Sequence, residues 1–130
     1  MKFLTWTDDL SVGDAELDKH HKTIIESINI LETVINKKEQ RQVTKQILDE
    51  LHRYADYHFS AEENLFKKTN FPNAQNHIAE HRAFCDRLEK IQLQYDQQDE
   101  FSSLEVMDFL IDWVANHVVT FDKEYVPYIK

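Results

Sequence analysis

Four runs of this 130-residue chain repeat apolar residues at alternating three- and four-residue spacings, and every run carries a histidine within the repeat. The first reads Leu17, His21, Ile24, Ile28, Leu31, Ile35; the second reads Ile47, Leu51, Tyr54, His58, Ala61, Leu65. The third reads His77, His81, Phe84, Leu88, Ile91, Tyr95, and the fourth Met107, Leu110, Val114, His117, Phe121. Residues three and four apart share one face of a helix, so each run is the seam of a packed helix. The expected helices cover about 17–37, 40–68, 74–96 and 103–122. Asp14 is the expected N-cap of the first, with Glu16 and Asp18 well placed in its first turn. The break Thr69-Asn70-Phe71-Pro72-Asn73 separates the second from the third, and the third ends in the polar run Asp96 to Glu100. The fourth starts near Ser102 or Ser103, with Ser103 a candidate cap, and Pro127 is expected to mark a tail rather than further helix.

Short connections make consecutive helices antiparallel, because a parallel neighbour needs a long crossover. The fold expected is all-α: an up-down-up-down antiparallel four-helix bundle behind an irregular N-terminal arm, residues 1–16, in a single domain spanning 1–130. One Gly and two Pro fit that reading. The net charge of −9 disfavours nucleic acid as a partner. A single cysteine, Cys85, leaves no internal disulfide. The apolar run before Asp8 and Asp9 is too short for a signal segment, and no stretch approaches a transmembrane helix. The expectation is a soluble, cytoplasmic, monomeric protein without membrane insertion.

Any one of these histidines alone reads as a core residue bonded to a neighbour. Five in the seams of one bundle are costly to bury unless their nitrogens are satisfied together, which a metal does. Helical rise tests whether they meet. His21 and His58 both lie roughly 23–26 Å from the first connection, and His81 and His117 both lie about 21 Å from the third. The offsets of His58 and of His77 from the second connection overlap as well. All five therefore fall in one layer.

Glu62 joins that layer through its four-residue spacing to His58. Its neighbour Glu63 points about 100° away and is expected in solvent. Asp122 follows His117 by five residues, about 140° off the same face of a regular helix. It is either a surface residue or a ligand on a helix that widens locally into π geometry. Imidazole suits zinc, copper, iron and nickel alike. Five histidines and two carboxylates exceed a four-ligand structural zinc site and suit two ions sharing the carboxylates, one with three histidines and the other with two. The order His-x-x-x-Glu, rich in nitrogen, differs from the Glu-x-x-His of ferritin-like di-iron bundles. A nitrogen-rich shell is expected to favour reversible binding over oxygen cleavage.

The chain resembles the hemerythrins, particularly the single-domain bacterial ones. The matching residues are Trp6 and Val12-Gly13, Asp18-x-x-His21, His58-Phe59-x-x-Glu62-Glu63, His77-x-x-x-His81, and Trp113-x-x-x-His117-x-x-x-x-Asp122. They occur in the family's order along almost the whole chain. The resemblance implies reversible O2 binding at a non-haem di-iron centre, two iron ions (Fe2+/Fe3+) with an oxo or hydroxo bridge. It implies that His77, His81 and His117 hold one iron, that His21 and His58 hold the other, and that Glu62 and Asp122 bridge them. Phe59, Trp113, Val114 and Val118 fall where the family has its apolar O2 pocket. The small valines are expected to leave more room there than bulkier residues would.

His20, which stands where many relatives have Gln, is expected at the edge of the bundle rather than in the site. His52 is expected to pair with Asp56, and Cys85 to be a small hydrophobe beside the seam. Phe66 is a core residue where relatives often have Met. Tyr125 reads equally as a neighbour of the site or as surface. The function expected is non-enzymatic O2 storage or delivery to an oxygen-requiring enzyme. A di-iron enzyme reducing peroxide or nitric oxide, and an oxygen or iron sensor, are the alternatives. The lack of an attached signalling domain and of an evident protonatable side chain in the pocket weighs against them.

Overall fold

Asp14 is extended, and its carboxylate accepts from the N–H groups of Glu16 and Leu17, each at 3.0 Å, which caps the helix that follows. The computed structural model describes residues 5–35, 37–97 and 103–129. Helix α1 runs Ala15–Val34, starting directly after that cap. It stops short of residue 37 because Ile35 leaves helical geometry (φ −55°, ψ 126°). Helices α2 (Gln40–Lys67), α3 (Ala74–Gln97) and α4 (Ser103–Trp113) follow. Asn36, the residues Gln98, Asp99 and Glu100 of the polar run, and the alternative start at Ser102 lie outside the described residues.

These helices form an antiparallel four-helix bundle in which α1 packs on α2 and α4, and α3 on α2 and α4. Among the described residues there is no strand. None of the helices is long and apolar enough to cross a membrane. Ser103 is the first residue of α4 rather than its cap. Its backbone N–H and Oγ both donate to Gln40 Oε1, at 2.8 and 3.0 Å, which ties the start of α4 to the start of α2.

After Trp113 the fourth helix widens. Val114–Phe121 is π-helical, and the N–H of Asp122 donates to the carbonyl of His117, five residues back. Two short helical turns follow, α5 (Asp122–Glu124) and α6 (Val126–Ile129). The expected non-helical tail at Pro127 is therefore corrected. Proline sits in the first turn of α6, where its missing N–H leaves no bond unmade.

The N-terminal arm holds one 3-10 turn, Asp8–Leu10, and is fixed by Asp18, whose carboxylate accepts from Ser11 Oγ and Val12 N–H. Gly13 has φ of 82°, a left-handed conformation that side-chain-bearing residues rarely adopt, and this turns the arm into the cap. Lys123 Nζ donates to the Ser11 carbonyl, which joins the arm to the C-terminal turns.

Two apolar clusters fill the interior. The larger includes Ile24, Ile28, Leu51, Tyr54, Phe84, Leu88, Leu110 and Val114. The smaller comprises Val12, Leu17, Phe66, Phe71 and Tyr125, with Ala74, Ile78 and Val126 packed against it. On each of the four long segments the seam histidines fall between a residue of one cluster and a residue of the other: Leu17 and Ile24 flank His21, and Tyr54 and Phe66 flank His58. A polar layer thus crosses the bundle between two dry ones.

Candidate metal centre

Seven side chains occupy that layer. His21 comes from α1, His58 and Glu62 from α2, His77 and His81 from α3, His117 from the π segment, and Asp122 from the first position of α5. None is more than 2% exposed, so each polar atom must find a partner inside the protein. The π segment answers the five-residue spacing of His117 and Asp122. Its wider turn brings the Asp122 carboxylate to the imidazole, Oδ1 to Nε2 at 3.0 Å, where an α-helix would rotate it away.

The donors sort into two groups that share Glu62. One ligand atom from each of Glu62, His77, His81 and His117 lies within 4.8 Å of the others, and the same holds for His21, His58, Glu62 and Asp122. Asp122 also reaches across. Its Oδ1 lies 3.0 Å from Nε2 of both His77 and His117, while its Oδ2 lies 2.9 Å from His21 Nε2. Glu62 turns Oε1 toward His81 (2.9 Å), His58 (3.4 Å) and His77 (3.4 Å). Its other oxygen accepts a 2.7 Å bond from the Tyr125 hydroxyl.

These separations are short, yet Nε2 of His21, His58, His77 and His117 and both oxygens of Asp122 make no hydrogen bond. The atoms converge without pointing at one another. Buried donors and acceptors left unpaired cost about 1–3 kcal/mol each, and so many in one layer mark a place built for something that binds them all. Neutral imidazoles and carboxylates suit borderline transition-metal ions. The residues present therefore fit a metal site.

Charge in the metal-free protein shows the same tension. Burial alone would raise Glu62, but His58, His77 and His81 around it hold its carboxyl well below the usual range. Asp122 is likewise held low, burial and Glu62 being outweighed by His117, His21 and His77. Burial would lower His77, but Asp122 and Glu62 raise it to about 9. His21 is raised for the same reason, through Asp122, against its burial. His58 goes the other way, its burial prevailing over Glu62.

Aromatic rings brace the layer. Phe59 stacks on His81 with centroids 4.0 Å apart, and Trp113 stacks on His117 at 3.8 Å. The indole N–H donates to the Tyr54 hydroxyl at 3.2 Å, and the Tyr54 ring stacks on His58 at 4.8 Å. Val114 and Val118 are buried in the same apolar cluster as Phe59 and Trp113.

Glu63, His20 and His52 have contacts other than the expected ones, and Tyr125 takes the first of its two readings, a neighbour of the site. Glu63 is not turned to solvent: its Oε2 lies 2.9 Å from His81 Nδ1. A neutral imidazole carries one N–H, so donation from Nδ1 to Glu63 leaves the lone pair on Nε2, the atom 2.9 Å from Glu62 Oε1, as the one a metal would take. Tyr125 is fully buried, and the sequence offered only its one-turn distance from Asp122. His20 lies outside both donor groups, as expected, but sits deeper than an edge residue, with its outer side on a surface groove. It is 8% exposed, with Nδ1 2.8 Å from His58 Nδ1, and burial, then His58, lower it from its usual range. His52 pairs with Gln92 Oε1 at 3.1 Å across the α2–α3 groove rather than with Asp56. Cys85 is a free, half-buried thiol against the main apolar cluster.

The family profile described as the hemerythrin HHE cation binding domain matches residues 12–129. A bacteriohemerythrin of Stenotrophomonas maltophilia is 31% identical over all of this chain and 84% of its own length. One from Clostridium acetobutylicum is 28% identical, covering 93% of this chain and 97% of its own. A crystal structure of wild-type hemerythrin superposes with a TM-score of 0.85 at 27% identity, covering 98% of each chain. A hemerythrin point mutant gives 0.86 at 28% identity, covering 99% of this chain and 98% of its own. With a profile matched from the arm to the last turns, and the buried histidine–carboxylate layer inside that span, the chain belongs to the hemerythrin family.

Proposed function

We propose that this protein binds O2 reversibly at a di-iron centre, for storage or for delivery to an oxygen-requiring enzyme. In this reading His77, His81 and His117 hold one iron, His21 and His58 hold the other, and Glu62 and Asp122 bridge the pair. The observation that carries it is the uneven division of donors, three imidazoles in one group and two in the other, with the carboxylates between them. Iron bound there supplies reversible electron transfer and, on the two-histidine side, a position for a small ligand.

The protein's own residues make that chemistry reversible by what they hold still and what they keep out. Asp122 presents one oxygen to each group, so a single side chain fixes their separation. The Tyr125 hydroxyl keeps Glu62 Oε2 engaged and Oε1 aimed at the imidazoles. Glu63 holds the proton of His81 on Nδ1. The apolar cluster containing Phe59, Trp113, Val114 and Val118 excludes water from the layer and so slows proton entry, which would otherwise favour irreversible oxidation.

The test is anaerobic loading with ferrous iron followed by an O2 titration monitored by absorbance. Two irons per chain and a visible band that appears with O2 and disappears under vacuum are expected. Prompt oxidation that vacuum does not reverse would overturn the carrier reading. A peroxide- or nitric-oxide-reducing enzyme is the second reading, and one observation favours it: a protonatable residue, His20, does stand beside His58. Sustained turnover of either substrate with an external reductant would select it.

A further inference from the structure

His20 has no place in either donor group, yet it is buried and points a ring nitrogen at a residue that does. The two imidazoles meet edge to face, with centroids 5.0 Å apart and planes at 84°, and their Nδ1 atoms are 2.8 Å apart. One nitrogen must therefore donate and the other accept. His58 Nε2 faces Glu62 Oε1 at 3.4 Å without a hydrogen bond, so Nε2 is its free ligand atom. A neutral imidazole whose Nε2 lone pair is given to a metal keeps its single proton on Nδ1. That proton then goes to His20 Nδ1, and His20 must hold its own proton on Nε2. The outer nitrogen is free to do so. It lies 3.8 Å from Glu16 Oε1, on the wall of a surface groove shared with Lys19, Thr23 and Tyr57. The Tyr57 ring packs on His20 with centroids 4.6 Å apart and keeps it from swinging out.

We infer that His20 is a positioning residue for His58: its Nδ1 accepts the His58 Nδ1 proton and fixes the tautomer and ring angle that present Nε2 to the metal. The inference rests on the metal-centre reading above and adds to it a residue outside both donor groups. Neither ring changes charge in this arrangement. Binding at His58 instead settles two tautomers at once, the inner ring with its proton on Nδ1 and the outer with its proton on Nε2. Glu63 does the equivalent for His81 with a carboxylate, which can only accept. On the two-histidine side the acceptor is an imidazole, held in place by packing and backed by solvent.

The test uses the full chain loaded with Zn2+, a diamagnetic probe that leaves ring protons visible by NMR. In the wild type the His58 Nδ1 proton should exchange slowly with water, and His20 should be protonated on Nε2. His20→Phe keeps the ring and removes the acceptor, His20→Ala removes it with less steric demand, and His20→Gln restores an acceptor through its amide oxygen. Both removals should lose the slow-exchanging proton. They should also speed zinc release from the two-histidine group to a chelator on the order of 10–100-fold, with His20→Gln back within about threefold of wild type. Release from the three-histidine group should not change, which separates a positioning effect from general loosening. Folded removal variants that keep both the proton and the release rate would overturn the inference, as would a folded His20→Gln that restores neither. Wild-type protein taking up fewer than two zinc ions overturns the metal-centre reading and the inference together, and shows itself before any substitution is made.

Discussion

At the scale of single residues, this centre is a problem of where protons sit. An imidazole that ligates a metal is neutral, with one proton and two nitrogens, and at His58 and His81 the group behind the ring decides which nitrogen is left for the metal. Carboxylates carry the other half of the arrangement, and Tyr125 shows how. Its hydroxyl is buried against Glu62, and burial together with the nearby carboxylates pushes its pKa far up, so it remains a donor at every ordinary pH. Tyr125→Phe removes one charge-assisted hydrogen bond and should cost the metal-free protein about 2 kcal/mol, read by denaturant unfolding. A change below about 0.5 kcal/mol would show that the bond contributes little. His117→Ala takes a donor from the three-histidine group and, on the di-iron proposal, should lower the iron content from two per chain to one, as metal analysis would show. Full retention of both irons would count against the assignment. Six of the donors were legible because each seam has a place for them, and Asp122, off its seam, was not among them. Glu63 and His20 were not legible, because a residue behind the ligand obeys no helical period of its own. It is chosen by which way a ring nitrogen faces, and only packing decides that.

Among the elements, the helices follow from their seams, and their ends follow from local chemistry. Asp14 can be tested alone. Asp14→Ala leaves two first-turn amides without an acceptor and should cost about 1 kcal/mol of metal-free stability, measured as a shifted denaturation midpoint with an unchanged slope. No shift would mean that the arm, pinned by Asp18, holds the helix start without the cap. The bundle itself was legible in four runs of alternating spacing, since a 3.6-residue period leaves little choice of partner face. The π segment was legible only as an either-or at Asp122, because the five-residue spacing breaks the period without saying whether the residue or the helix gives way. The structure shows the helix giving way. At the other end of that segment Pro127 misled, since proline halts a helix in progress but is welcome in the first turn of a new one.

For the whole molecule, the polar layer makes pH and metal opposing influences. Glu62 and Asp122 are held below the usual carboxylate range, so their contribution to folding is present above that range and lost as pH falls through the folded values. His77 is raised to about 9, so its contribution is full below its ordinary range near 6.5 and lost as pH rises through about 9. The melting temperature of the metal-free protein should therefore decline between pH 6.5 and 9. Metal affinity should climb over the same interval, because binding must displace the His77 proton, with acid released into a weakly buffered solution. A metal-free melting temperature that rises across that window would contradict the charge assignment. The same layer also bears on the order in which the molecule is made. Both donor groups draw on the last part of the chain, one through His117 and the other through Asp122. A ribosome synthesises from the N-terminus, so a nascent chain that has already folded α1 to α3 still owns no complete cage. A metal cannot be fully enclosed until the last helical segment has docked.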